Sequence, residues 1–317
     1  MKLVYLGTPD ISVPLLEALA QEFNITAVIT RPDKPKGRSG KPVPSPISLS
    51  ADKLGLKLIK PDKIDQSIID MLKIDNPDLF VTFSYGSILK QEFINFTEYG
   101  GINIHPSLLP KYRGPSPIQA ALFNGDKSSG ISIQRIALKV DSGDILFQKE
   151  FEISDNDDYN TLERKISLES IRPVIDILTD INRYLSNAKI QDHNKATYCK
   201  IIKKEDALIN WHSTTETINN MIRAFCNGPV PFSFVNNQKI SFYKSLNYDN
   251  ISQSYKLSSA VPGTVVEADH KEGILIKTGS GLLKILELQK EGKSKLDFKN
   301  FLNGYKDLKN KLFVMER

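Results

Sequence analysis

An α/β portion built on a mostly parallel sheet, followed by a smaller all-β portion, is the architecture the sequence predicts. Three observations predict it. Short apolar, β-branched runs alternate with stretches of helical period through residues 1–185. After residue 203 the pattern changes to five short β-rich pieces separated by turns. The charge changes at the same place. Residues 1–202 hold 25 Lys+Arg and 25 Asp+Glu, whereas residues 203–317 hold 17 against 12, so the last third carries the whole net charge of +5. Residues 186–202, polar and without periodicity, read as the linker, with His193 as a solvent-exposed side chain.

The bulk properties set limits. A chain of 317 residues accommodates two domains of ordinary size, and 40% hydrophobic with 25% charged residues describes a globular, soluble protein. Cys199 and Cys226 lack Cys-x-x-Cys spacing, which argues against a disulfide framework and a structural zinc site and fits a reducing cytoplasm. At the N-terminus the apolar run Leu3–Leu6 is ended by Gly7, too short for a signal peptide or a membrane span. Nothing suggests an obligate interface, so a monomer is expected. A basic C-terminal portion on a neutral body suggests a polyanionic partner.

Residues 1–30 read as a βαβ opening. Lys2–Leu6 is a strand, Gly7–Asp10 a turn, and Val13, Leu16, Leu19 and Ala20 mark a helix before the strand Ile25–Ile29. Gly7 stands alone, so the Gly-x-Gly-x-x-Gly that cradles a pyrophosphate is missing and Rossmann-like topology here does not imply NAD. Residues 31–46 form a long loop by composition: from Arg31 to Lys41 five basic residues meet one acid, among prolines and glycines. Leu56–Ile59 is a short strand, Ile64, Ile68, Ile69 and Leu72 mark an amphipathic helix, and Asp78–Phe83 is a buried strand ending at Ser84-Tyr85-Gly86. A strand over 100–104 follows, then a brief helix over Ile118–Phe123, and alternating strands around 131–136 and 145–153 that extend the far edge of the sheet. A helical pattern from about Asp158 to Leu185, interrupted by Pro173, closes the domain. Beyond the linker a helix spans Thr217–Phe225. The pieces Phe232–Val235, Lys239–Tyr243, Gly263–Glu267, Gly273–Lys277 and Leu282–Leu288 suggest a small OB-like barrel, a fold suited to a nucleic-acid partner.

The chemistry concentrates in Gly101–Gly114. Asn103 and His105 sit two apart on a strand, so both point to one face. Pro106 and Pro110 then impose a shaped loop. An amide and an imidazole at a buried strand end suit acyl transfer, one donating to a developing oxyanion and the other handling a proton. Asp141, in the turn-like Val140-Asp141-Ser142-Gly143-Asp144, is the candidate third partner that would fix the imidazole tautomer; its spacing alone equally fits a solvated turn residue.

At these residues the chain resembles the folate-dependent formyltransferase family, and within it the methionyl-tRNA formyltransferases. The match lies in Asn103, in the His-Pro-Ser-Leu-Leu-Pro-Lys-Tyr-Arg-Gly run from His105 to Gly114, and in Asp141-Ser142-Gly143-Asp144. The resemblance implies Asn103, His105 and Asp141 as the catalytic trio. It places Ser107, Leu108, Leu109 and Pro110 at the tetrahydrofolate site, and Tyr85 and Gly86 as lining of the same pocket. Residues 31–46 resemble the loop that wedges into the acceptor end of the initiator tRNA, with Lys36, Arg38 and Lys41 as its contacts. Gly37, Arg38, Lys41 and Pro44–Pro46 match that loop, while Ser39, Gly40 and Pro42 depart from it and one lysine is lost. Ile209-Asn210-Trp211 and Phe298–Gly304 resemble the start and close of the family's C-terminal domain, whereas Asn227–Pro231 departs from its usual turn. The implied reaction takes the formyl group from 10-formyltetrahydrofolate to the methionine α-amine of initiator tRNA, with no metal and no NAD. Three other readings weigh less. A relative acting on an amino-sugar nucleotide or glycinamide ribonucleotide would need neither the basic loop nor the basic β-rich end. A non-catalytic tRNA-binding module would not need Asn103, His105 and Asp141 together, and a dehydrogenase would need the glycine fingerprint.

Overall fold

The structure is a computed structural model that describes residues 1–35, 40–248, 260–305 and 307–316. It divides into two compact units. The first comprises residues 1–117, 128–152 and 162–200, and the second residues 118–127, 153–161 and 201–317.

The first unit is built on a seven-stranded sheet. Its strands are β1 (Lys2–Gly7), β2 (Asn24–Ile29), β5 (Leu58–Ile59), β6 (Leu79–Phe83), β7 (Gly101–His105), β8 (Ser128–Arg135) and β9 (Ile145–Glu152); β3 (Lys34–Pro35) and β4 (Pro42–Val43) form a separate ribbon. The sheet order is β5-β2-β1-β6-β7-β8-β9. The first five pair in parallel, and β8 and β9 add an antiparallel edge beside β7. Strands buried on both faces explain the near-continuous apolar runs: β6 is buried at every position. Helices α1 (Val13–Glu22), α2 (Pro46–Lys53), α3 (Gln66–Lys73) and α4 (Gln91–Ile94) connect them. An apolar cluster of Val4, Leu6, Ala27, Ile29, Ile69, Leu72, Phe80, Tyr85 and Phe93 fills one side. Within it Phe80 meets Phe93 edge to face, ring centroids 4.9 Å apart.

Two local features differ from the sequence expectation. The loop at 31–46 carries the β3–β4 ribbon, pairing Lys34 with Val43 and Pro35 with Pro42. Neither proline has an N–H to donate, so the ladder cannot extend through that pair. The helical pattern after Asp158 is three helices, α6 (Tyr159–Glu169), α7 (Ile171–Thr179) and α8 (Ile181–Ser186), which follow α5 (Pro117–Phe123) in the chain. The first break falls at Ser170, so that Pro173, whose missing N–H and ring would obstruct an unbroken helix, lies in the first turn of α7.

The second unit carries α9 (Thr215–Phe225), a six-stranded antiparallel sheet and α10 (Phe298–Gly304). The strands are β10 (Phe232–Val235), β11 (Gln238–Tyr248), β12 (Val265–Asp269), β13 (Gly273–Lys277), β14 (Leu282–Lys290) and the short β15 (Leu296–Asp297). Their order is β10-β11-β14-β13-β12, with β15 on β14. The C-terminal segment closes this sheet into a barrel-like form, because Val314 bridges Phe234 on one edge and Leu312 bridges Thr264 beside the other. Inside, Trp211, Phe242 and Phe313 pack mutually, with centroids 5.4–5.7 Å apart. The Trp211 indole donates to the Ser233 hydroxyl, which donates to the Val314 carbonyl. Among the described residues no helix is long and apolar enough to cross a membrane.

Candidate active site

The site forms where parallel strands β6 and β7 end, the position at which open α/β sheets bind ligands. The alternation of β7 turns Asn103 and His105 to one face, as their spacing predicts. Register with antiparallel β8 sets Gln134 opposite Asn103 and Ser132 opposite His105. Four polar side chains thus share a patch of an otherwise apolar sheet; His105, Ser132 and Gln134 are buried and Asn103 is half-buried.

Asp141 completes the group. Its Oδ1 lies 3.5 Å from His105 Nδ1 and accepts from Gln134 Nε2 at 3.0 Å and, more distantly, from Asn103 Nδ2 at 3.4 Å. Its Oδ2 accepts from the Gly114 backbone N–H at 2.8 Å. The Asn103 amide is oriented from behind by Thr82 on β6, whose hydroxyl donates to Asn103 Oδ1 at 2.7 Å. Because a carboxylate can only accept, the amide N–H pair faces Asp141, which leaves Oδ1 toward the Thr82 hydroxyl. The imidazole tautomer is fixed by the main chain. His105 Nε2 lies 2.9 Å from the Tyr112 carbonyl, which can only accept, so Nε2 carries a proton and Nδ1 is the nitrogen left to take one. Asp141, expected to fix the tautomer, instead stands beside Nδ1, the nitrogen that does not face the main chain.

The loop after β7 is held at both ends. Ser107 Oγ donates to the Lys111 carbonyl at 2.6 Å, Leu109 N–H donates to Ser132 Oγ, and the Leu109 carbonyl accepts from Gln148 Nε2. Leu108 lies over Gly130, where a Cβ would come within 2.4 Å of Leu108 Cδ2. The Leu109–Pro110 peptide bond is cis. Tyr85 and Gly86 follow β6. Tyr85 is buried, with its carbonyl accepting from the Thr8 hydroxyl, and burial raises its phenol pKa against the opposing pull of Arg31. Gly86, at φ +80°, has the Arg31 side chain beside it.

Backbone strain marks the same place. Seven non-glycine residues among those described have positive φ. Four are asparagines, which tolerate that region as aspartate does; the other three are Ser84 (54°), Tyr112 (58°) and Asp141 (49°), all at the site, and of these Ser84 and Tyr112 are the less tolerant types. Each costs about 1–3 kcal/mol and persists only where its surroundings over-determine it.

Those surroundings include the stretch read from sequence as a linker. Up to Lys200 it belongs to the first unit. Thr197 and Cys199 pair with the main chain of 110–113, and Thr197 Oγ1 accepts from Tyr112 N–H. Gln191, only 3% exposed, accepts from Arg113 and donates toward Gln134 Oε1 and the carbonyls of Asp141 and Gly143. His193 is exposed as expected, yet its Nδ1 accepts from Arg113 Nη2 at 2.8 Å. Gly114, at φ +116°, leaves room for this stretch, since a Cβ there would meet the Cys199 carbonyl at 2.4 Å.

The structure therefore brings Asn103, His105 and Asp141 together and sets Ser107–Pro110 beside them, while Tyr85 and Gly86 follow the neighbouring strand β6. Lys36 and Arg38 lie outside the described residues, and Lys41 is exposed beside the β3–β4 ribbon. Thr82, Gln134, Gln191 and the Tyr112 carbonyl were not singled out by sequence. Polar Ser132 and Gln134 alternating with Ile131 and Ile133 signalled β8. For Gln191, in a stretch without period, there was no signal. Among the described residues no group of three or more His, Cys, Asp or Glu could hold a metal ion.

The sequence pattern of the formyl transferase family matches residues 1–175, and that of the formyl transferase C-terminal domain matches residues 201–306. The methionyl-tRNA formyltransferase of Treponema denticola is 38% identical over 315 residues, covering 97% of this chain and 98% of its own. That of Thermotoga neapolitana is 37% identical over 306 residues, covering 96% and 95%. Among solved structures, the fold is similar to HypX of Aquifex aeolicus (TM-score 0.67, 16% identity, 98% of this chain and 50% of that one). It is also similar to WlaRD, a sugar 3N-formyl transferase (TM-score 0.62, 21% identity, 93% and 99%).

Proposed function

The chain belongs to the methionyl-tRNA formyltransferase family, and from that premise we propose that it moves the formyl group of 10-formyltetrahydrofolate to the α-amino group of methionine on the initiator tRNA. The observation that carries the site assignment is the convergence of Asn103 Nδ2 and His105 Nδ1 on one oxygen, Asp141 Oδ1. An amine attacking a formyl carbon builds negative charge on the formyl oxygen and must lose a proton. Asn103 supplies N–H hydrogens to that oxygen, their direction set by Thr82. His105 takes the proton at Nδ1, where Asp141 stands ready to bond it. The half-buried Leu108 and the Tyr85-Gly86 strand end fit the flat, partly apolar ring of a folate, and Ser107 contributes by closing the loop on Lys111.

Residues 203–317, with their excess of basic side chains, are the part we assign to tRNA, together with Lys36, Arg38 and Lys41 of the basic sequence stretch 31–46. The cytoplasm, where translation starts, is the compartment this reading requires, and the enzyme works as a monomer. The test is a transfer assay with 10-formyltetrahydrofolate and methionyl-tRNA of initiator or elongator type. Formylation of the initiator alone is the expected result. Transfer to an amino-sugar nucleotide and to neither tRNA would overturn the assignment of the acceptor.

A further inference from the structure

We propose that Gln191, in the stretch that precedes the second unit in sequence, is a positioning residue that sets the Asp141 carboxylate beside His105; this rests on the reading of Asp141 as part of the catalytic group. Asp141 occupies the left-handed region at φ 49°, which is uncommon for a residue other than glycine although aspartate tolerates it, and the turn is held from outside. Gln191 Nε2 supplies the hold, lying 2.7 Å from the Gly143 carbonyl and 3.0 Å from the Asp141 carbonyl, and so spans the turn. The same nitrogen is 3.1 Å from Gln134 Oε1. That contact fixes the Gln134 amide with its Nε2 toward Asp141 Oδ1, 3.0 Å away. One side chain thereby holds both the backbone of Asp141 and a donor to its carboxylate.

The orientation of Gln191 is itself dictated. Arg113 Nη2 and Nε lie 2.6 and 3.2 Å from Gln191 Oε1, and a guanidinium has hydrogens but no acceptor. The amide oxygen must face Arg113, which leaves both amide hydrogens for the Asp141 turn and Gln134. Arg113 and Gln191 are both buried, so water cannot take over these bonds freely. The chain of contacts runs from Arg113, eight residues after His105, through Gln191 and Gln134 to Asp141 Oδ1 and back to His105 Nδ1. That last separation is 3.5 Å, a loose contact that a small shift of the turn would abolish. Misplacing a reacting group by 1 Å costs on the order of 100-fold in rate.

Two substitutions in the full-length protein test this. Gln191→Met keeps the volume and removes every hydrogen bond. Gln191→Glu still accepts from Arg113 but has no hydrogens to give the carbonyls. Both are expected to lower kcat by about 10- to 100-fold, with KM for folate and for tRNA within about twofold of wild type. In an Asp141→Asn background neither should lower kcat further. Full activity in Gln191→Glu would mean that the side chain serves only to pair Arg113, and an undiminished additional loss in the Asp141→Asn background would mean that it acts elsewhere; either overturns the proposal. The imidazole nitrogen resonances of His105 in 15N-histidine-labelled protein give a readout that needs no substrate. They are expected to move in Gln191→Met to where Asp141→Asn puts them, and resonances unchanged from wild type would overturn the proposal. If those resonances move as expected while the wild-type protein formylates no tRNA, the acceptor assignment falls and the positioning role stands.

Discussion

The two units of this molecule use their buried polar groups in opposite ways. In the barrel-like second unit a buried hydroxyl ties structure to structure: Ser233 joins the Trp211 indole to the Val314 carbonyl, and Thr215 meets Thr278 at 2.7 Å. Around these the core is aromatic and aliphatic, centred on Trp211, Phe242 and Phe313. In the first unit Asn103 and His105 of β7 and Gln134 of β8 are aimed at one carboxylate, that of Asp141. Damage to the second unit should therefore lower stability, and damage to the first should lower turnover.

The sharpest break would come from Phe242→Ala. Emptying an aromatic position in the closed core is expected to destabilise the protein by about 3–5 kcal/mol, while folded protein keeps its affinity for folate. Thermal unfolding with a folate-binding titration checks both halves. Asn103→Ala is the counterpart. It should remove about 2.7–4 kcal/mol of transition-state stabilisation, seen as a 100- to 1,000-fold fall in kcat, and leave Tm and tRNA affinity near wild type. Weak tRNA binding with normal turnover would contradict the assignment. Thr82→Val sharpens the comparison, since it changes one hydroxyl behind the amide. A kcat loss of about fivefold is expected, the worth of one hydrogen bond near 1 kcal/mol, with Thr82→Ser close to wild type. A loss not recovered by serine would assign Thr82 to packing.

The smallest effect lies at Asp297, the N-cap of α10. It accepts the backbone N–H of Asn300 and Lys299, and the Asn300 hydrogen bonds lead in holding its pKa below the usual carboxylate value. A depressed folded-state pKa gives stability that is present above the unfolded value, near 3.9, and is lost as pH falls through the lower folded value. Asp297→Ala should therefore lower Tm near pH 6 and converge with wild type as the pH falls below the depressed folded value, with kcat at pH 7 unaffected.

Much of this was legible in the sequence, for identifiable reasons. Period-2 alternation on a buried strand places Asn103 and His105 on one face, whatever surrounds them. The βα alternation fixes a parallel sheet, and the site then falls at strand ends. Strand β10 covers the predicted Phe232–Val235 and β13 the predicted Gly273–Lys277. The helical break was misread by a few residues because the sequence shows the proline but not the residue at which the preceding helix gives way. A small barrel was expected, but the segment that closes it was not readable, since 312–314 pairs only through isolated bridges and has no strand period of its own.

By itself the sequence determined the fold of each half and the family, and it pointed to the three residues to which we assign the chemistry, because each of these depends on local periodicity or on a short motif. What only the tertiary structure decided is how the atoms of those residues are set. The imidazole tautomer depends on the Tyr112 carbonyl, the Asn103 amide on a hydroxyl from β6, and the Asp141 turn on Gln191, fifty residues further along the chain. Such hydrogen bonds join positions with no fixed relation in sequence, and they exist only once strands, loop and the 187–200 stretch have packed together.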